Sequence, residues 1–346
     1  MSLARRIGVV AALVVGVLLV ASAGLYWLFD RVTADAQERR VLPGWLDSLR
    51  ASGRAPDLAG LALERTADGD GSALVYDSAF HWRPPRSVTV LYGAVTRHRP
   101  IGAADSVLWR RLASDTGLDR VVAAARMLEW HATSRATATD STWVWAMRLP
   151  AFGAQNQALE ALIVRAYWRA ARRDDAGART DLGAMLALAD RMARRDPTIP
   201  GSLFGRASIR DGARACAELA DRAADSARAR RCRALYAASA RPFAGIFSAL
   251  QARPDTAALV AADTALPLAW RAEALQALAL HSISRPRGLL FGIPRADVER
   301  LEPFLHDRDP DLARIALLTR RTAERLGHLS MVERLRALAG SLPMPR

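Results

Sequence analysis

Residues 159–193 read LEALIVRAYWRAARRDDAGARTDLGAMLALADRMA. Leu159, Leu162, Ile163, Ala166 and Ala170 fall on one stripe of a helix. Leu182, Met185, Leu186, Ala189 and Ala193 repeat the same spacing on a second stripe. Asp174-Asp175-Ala176-Gly177 separates the two with turn residues. Periodicity and turn chemistry together predict a helical hairpin.

The pattern extends outward. Asp196-Pro197 and Pro200-Gly201 end the first unit. A second hairpin is expected over 203–241. Its stripes are Ala213, Cys216, Ala217, Ala220 and Ala224, then Ala229, Cys232, Tyr236 and Ser239, with Asp225 or Ser226 as N-cap between them. A helix at 267–281 precedes breaks at Arg285-Pro286-Arg287-Gly288 and Gly292-Ile293-Pro294, and helices over 309–326 and 328–340 close the chain. Asp309-Pro310-Asp311 starts the former with a cap, a proline at the first helical position and an acid in the first turn. Successive hairpins of roughly 40 residues over 104–346 predict an all-α domain, an α-solenoid or an irregular bundle. The stretch from Tyr167 to Pro197 resembles a tetratricopeptide hairpin. The spacing between those two residues is too long for that motif and no period recurs along the chain, so the family is not assigned.

Residues 30–103 read differently. A helix over 30–54 is interrupted at Pro43-Gly44, and an irregular docking segment follows. Asp68-Gly69-Asp70-Gly71 reads as a turn, and Pro84-Pro85 forces extended chain. Val88, Val90 and Trp143-Val144-Trp145 are candidate short strands without an evident partner.

Residues 7–29 carry no charge over 23 positions, long enough to cross a bilayer as a helix. Two readings compete. Arg5-Arg6, the apolar run and Ala21-Ser22-Ala23 suit a cleaved signal. The run continues through Leu25 to Phe29, and Tyr26 and Trp27 sit where an aromatic belt would meet the outer interface, which favours a retained anchor. Arg5 and Arg6 place the tail of residues 1–6 in the cytoplasm and the bulk of the chain on the periplasmic side of an inner membrane. So short a tail leaves no room for a signalling domain. Gly8, Ala12 and Gly16 form a small-residue face suited to docking on another transmembrane helix.

Composition bounds the partners. The formal net charge is +14, and every basic side chain but the histidines is arginine. Nucleic acid is the first partner such a charge suggests, but the exported topology argues against it. Anionic lipid headgroups or an acidic protein suit it better. Arg228, Arg230, Arg231, Arg233 and Arg241 form a patch with no intervening acid, read either as such a contact or as a solvated helix face.

Cys216 and Cys232 are the only cysteines. On one continuous helix they would lie ~24 Å apart. A hairpin turning near residue 224 brings them level, so a disulfide is expected, closing a loop worth roughly 3 kcal/mol. An exported domain is where such a bond persists. Two cysteines without an adjacent histidine fall short of a metal site.

No catalytic, cofactor or metal motif appears. The histidines (His81, His98, His131, His281, His306 and His328) show no zincin or haem-attachment spacing. Asp307, Asp309 and Asp311 alternate like a calcium loop, but Leu312 replaces the required glycine and Leu318 the closing acid, so they read as helix capping. Gly69-Asp70-Gly71 lacks the third glycine of a phosphate loop.

The expected function is therefore a non-catalytic, single-pass accessory subunit, docked on integral membrane proteins and capping their outer face. In layout it is similar to accessory subunits of bacterial energy-transducing assemblies, photosynthetic or respiratory. The alternatives are an anchored helical-repeat module binding envelope proteins or peptidoglycan, and an envelope enzyme with an unrecognised site.

Overall fold

The computed structural model describes residues 56–72, 88–97, 103–131, 152–239, 254–280 and 295–328, with short pieces between 44 and 53. The chain divides into two units, Met1–Ala51 and Ser52–Arg346. In the first, residues 46–51 are helical. Gly8, Ala12, Gly16, Tyr26, Trp27 and the rest of the uncharged run lie outside the described residues, as do Arg241, the 143–145 segment and the final expected helix beyond residue 328. Among the described residues no helix is long and apolar enough to cross a membrane.

The second unit is predominantly helical. Its elements are β1 (Ala67–Asp70), α1 (Val88–Thr96), α2 (Ala103–Ala113), α3 (Thr116–Arg126), β2 (Met127–Glu129), α4 (Phe152–Ala171), α5 (Asp175–Arg195), α6 (Ile199–Arg222) and α7 (Ser226–Ser239). α8 (Pro254–Ala262), α9 (Leu268–Leu280), α10 (Arg295–Glu299) and α11 (Pro310–His328) follow, with a 3-10 turn at Glu302–Phe304. From α4 to α7 each helix packs on the next, and α1 and α3 cover α4 and α5 respectively. Leu162, Ile163, Met185, Leu186 and Ile209 are among the buried residues at the centre. α9 packs on α8 and α11, burying Trp270, Leu275, Leu312 and Ile315.

Both hairpins expected from sequence form, and they turn in the same way. At the first, Asp174 N–H donates to Arg169 O (2.9 Å) and Arg173 N–H to Ala170 O (3.0 Å). At the second, Asp225 N–H donates to Ala220 O (2.9 Å) and Ala224 N–H to Asp221 O (3.1 Å). These are the paired bonds of a Schellman motif, with the residue before each aspartate left-handed: Arg173 at φ 63° and Ala224 at φ 55°. Each aspartate then caps the next helix. Asp174 accepts from Gly177 N–H (2.9 Å) and Asp225 from Arg228 N–H (3.1 Å).

Eight positions on either side of the left-handed residue, each hairpin carries a cross-link. In the first, Arg165 on α4 grips Asp181 on α5 through Nε (3.0 Å) and Nη2 (2.7 Å). In the second, Cys216 and Cys232 are joined as a disulfide, with Cα atoms 5.9 Å apart. The register between hairpins is set by close approach. A Cβ on Gly205 of α6 would strike the backbone of Ala189, Met192 and Ala193 on α5. Ser202 Oγ donates to Ala193 O at 2.6 Å across the same contact.

Two local expectations are corrected. Val88 and Val90 are helical, not strand. Val88, Leu91 and Val95 fall on one helix face and are buried, so tertiary packing overrides β-propensity. Asp68-Gly69-Asp70 is not simply a turn but part of β1, which pairs in parallel with β2, Ala67 opposite Met127 and Asp70 opposite Glu129. The turn comes one step later, where Asp70 accepts from Ser72 N–H (2.9 Å) and Ser72 Oγ (2.7 Å).

Candidate functional site

An open cleft of about 500 Å³ lies where three segments converge. The end of α5 supplies Arg194 and Arg195, the loop entering α9 runs along one wall, and the loop entering α11 supplies Asp307, Arg308 and Asp309. Arg271 of α9 completes the lining. α5 presents its arginines here because its last turn is where cations complement unpaired carbonyls.

The aspartates do cap α11: Asp309 accepts from Asp311 N–H (3.1 Å), and Asp307 accepts from Asp309 N–H (2.8 Å). They also take guanidinium groups, a role beyond capping. Arg195 donates to Asp309 through Nη1 (2.6 Å) and Nη2 (3.0 Å), and to Asp311 through Nη2 (2.6 Å). Arg271 donates from Nη1 to Asp309 (3.3 Å) and from Nε to Ala261 O (2.9 Å). Its side chain is only 4% exposed, and its Nη2 lies 3.5 Å from Asp307, with no hydrogen-bond partner among the described residues. Burial opposes charge on both Arg195 and Asp309. Their mutual bonds outweigh it, holding the arginine pKa above and the carboxyl pKa below its ordinary value. Behind the cleft, His131 lies with Nδ1 3.6 Å from Asp311 and Nε2 3.4 Å from Glu129. At the rim, Arg194 donates to Asp190 at 2.7 Å, and Arg308 is exposed.

Other buried charges are structural in placement. Arg165 also reaches Asp119 of α3 (2.8 Å), and Arg169 approaches Asp181 at 3.2 Å. Burial works against the Arg165 cation, but Asp181 and then Asp119 more than offset it and raise its pKa. Arg191, fully inside, donates to the carbonyls of Ala124 and Met127 and lies over the Trp130 ring. Burial and the nearby Arg65 depress it to about 10. Asp196, between α5 and α6, is buried and accepts from Thr198 N–H (2.8 Å) and Oγ1 (2.6 Å). Its Oδ2 has no hydrogen-bond partner among the described residues, and burial pushes the carboxyl up to about 6.

The basic patch is one helix but not one cluster. Arg228, Arg230, Arg231 and Arg233 all lie on α7. Arg231 donates to Ala59 O, Arg233 pairs with Asp221, Arg228 is half-buried beside Asp225, and Arg230 faces solvent. Of the cleft arginines, Arg195 has partners more than a hundred positions away, which no local pattern reveals.

No protein-family model, curated protein or solved structure matches this chain.

Proposed function

We propose that the protein is a non-catalytic scaffold subunit, tethered by residues 7–29, whose helical-hairpin domain stands outside the inner membrane and docks on integral membrane partners. The observation that carries this reading is the Cys216–Cys232 disulfide, since such bonds persist in oxidising compartments. It agrees in sense with an uncharged run of spanning length ahead of the domain. The test is solubilisation from native membranes in mild detergent, followed by sizing and identification of co-migrating chains. Stoichiometric integral membrane subunits are the expected result, and migration as a lone monomer would overturn the reading. Bulky replacements at Gly8, Ala12 and Gly16 are expected to release the protein from its partners without unfolding the domain.

A second reading is an anchored helical-repeat binding module for envelope proteins or peptidoglycan. The two hairpins with like turns and like-placed cross-links favour it. In that case partners come off at high dilution while the tether remains in the membrane.

A further inference from the structure

We propose that α1 is a displaceable plug, and that its seat on α4 and α6 receives a partner's amphipathic helix bearing arginine or lysine where α1 has Thr89 and Tyr92. The seat lies within the helical domain and owes nothing to the tether.

α1 is a poor helix on its own. Six of its nine residues are valine, threonine or glycine, all weaker helix formers than alanine or leucine. An isolated helix of this length does not persist in water, so docking on α4 is what holds it. Val88, Leu91 and Val95 are buried, at the i, i+3 and i+7 positions by which an amphipathic helix anchors in a groove. The outer face carries Val90, 67% exposed, and Gly93, where an added Cβ would meet nothing within 4 Å. Among the described residues its polar contacts are peripheral. Tyr92 Oη donates to Asp211 of α6 (3.0 Å), Thr89 Oγ1 to Glu160 of α4 (3.4 Å) and Arg214 Nη2 to Thr96 O (3.5 Å), all at exposed sites. Such an element belongs to the low-stability end of a structure.

The charges of the seat select the occupant. Glu160 and Asp211 have no ion-pair partner among the described residues. Glu160 accepts only from the Thr89 hydroxyl and the Asn156 amide (3.0 Å), and Asp211 only from the Tyr92 phenol. Arg214 bonds Glu218 (3.3 Å) rather than either acid. Burial and then the Asp211 charge raise the Glu160 pKa, and the two neutral donors do not fully offset them. α1 thus answers two like charges with uncharged groups. Thr89 and Tyr92 are three positions apart and share a helix face. Cationic side chains at those two positions would make charge-assisted bonds to the same carboxylates, about twice as strong as neutral ones.

The full-length chain in neutral detergent micelles is first followed by hydrogen exchange. The amides of 89–96 are expected to exchange through an opening that leaves α5 and α6 protected. Gly93→Ala, which adds helix propensity and touches nothing, should slow them about fivefold. Exchange of α1 only in step with α5 and α6 would overturn the plug. The seat is then probed with labelled synthetic peptides spanning 86–98, one of native sequence and one carrying Thr89→Arg and Tyr92→Arg. The receiving chain carries Leu91→Ala, which removes the central anchor of its own α1. Tyr92→Phe, which removes only the Asp211 bond, takes its place if α5 and α6 lose protection in Leu91→Ala. The arginine peptide is expected to bind about tenfold tighter than the native one, and Glu160→Gln/Asp211→Asn to erase the difference. Equal affinity of the two peptides, a preference that survives Glu160→Gln/Asp211→Asn, or no binding of either peptide overturns the proposal.

Discussion

The α4–α5 and α6–α7 hairpins share a turn and differ in their lock. The same offset carries Arg165 to Cys216, Asp174 to Asp225 and Asp181 to Cys232. One position pair holds an ion pair and the other a covalent bond. The surroundings explain the choice. A buried ion pair needs further groups to satisfy it, and the inner hairpin has them in Asp119 from α3 and Arg169 from its own helix. Among the described elements α7 packs chiefly on α6. Few described neighbours stand by to complete a polar network there, and a disulfide needs none.

That contrast can be broken in several ways. The largest effect is expected from Asp181→Ala, which removes the buried partner of Arg165 and leaves only the exposed Asp119 beside a side chain that is 1% exposed. A loss of about 3–5 kcal/mol is expected, read as a urea midpoint, whereas replacing both partners by leucine should restore most of it. Removing the other lock with Cys216→Ala and Cys232→Ala should cost about 3 kcal/mol. Installing cysteines at 165 and 181 sharpens the comparison. If the positions are equivalent, denaturing thiol titration of the variant finds no free thiol, and two free thiols would deny the equivalence.

The seam between the hairpins should respond to pH. Asp196 binds its proton more tightly folded, at about 6, than unfolded, near the ordinary carboxylate value of about 4. Stability is then greatest below about 4, falls as pH rises to about 6 and levels off above. The drop amounts to about 3 kcal/mol, and Asp196→Asn should flatten it while leaving the Thr198 bonds an acceptor. The smallest effect belongs to the turns. Ala224→Gly relieves a left-handed alanine and should stabilise by no more than about 1 kcal/mol, seen as a small rise in thermal midpoint.

The hairpins were legible because their signals are local. Stripes such as Leu182–Met185–Leu186 and caps such as Asp225 need only a few neighbouring residues to be read. The cysteine pair was legible because the turn fixes its geometry. Arg165 and Asp181 carried the same spacing and were overlooked, since charged residues within apolar stripes give no sign of burial. The cleft was illegible for another reason. Arg195 finds Asp309 and Asp311 only after α9 and α11 have packed, and nothing near residue 195 announces them. Val88 misled because a β-branched run reads as strand until α4 is there to cover one face.

The two-stranded ladder sets an order of assembly. Each hairpin can close within its own length of chain, and its turn and cap need nothing from elsewhere. Ala67 must wait for Met127, and Asp70 for the backbone N–H of His131. Closing that long loop costs entropy that the short β1–β2 ladder cannot offset alone. The ladder should therefore form last, once α3 and α5 provide a surface to hold it. Hydrogen exchange would then find the amides of 67–70 and 127–129 opening well before those of α5 and α6.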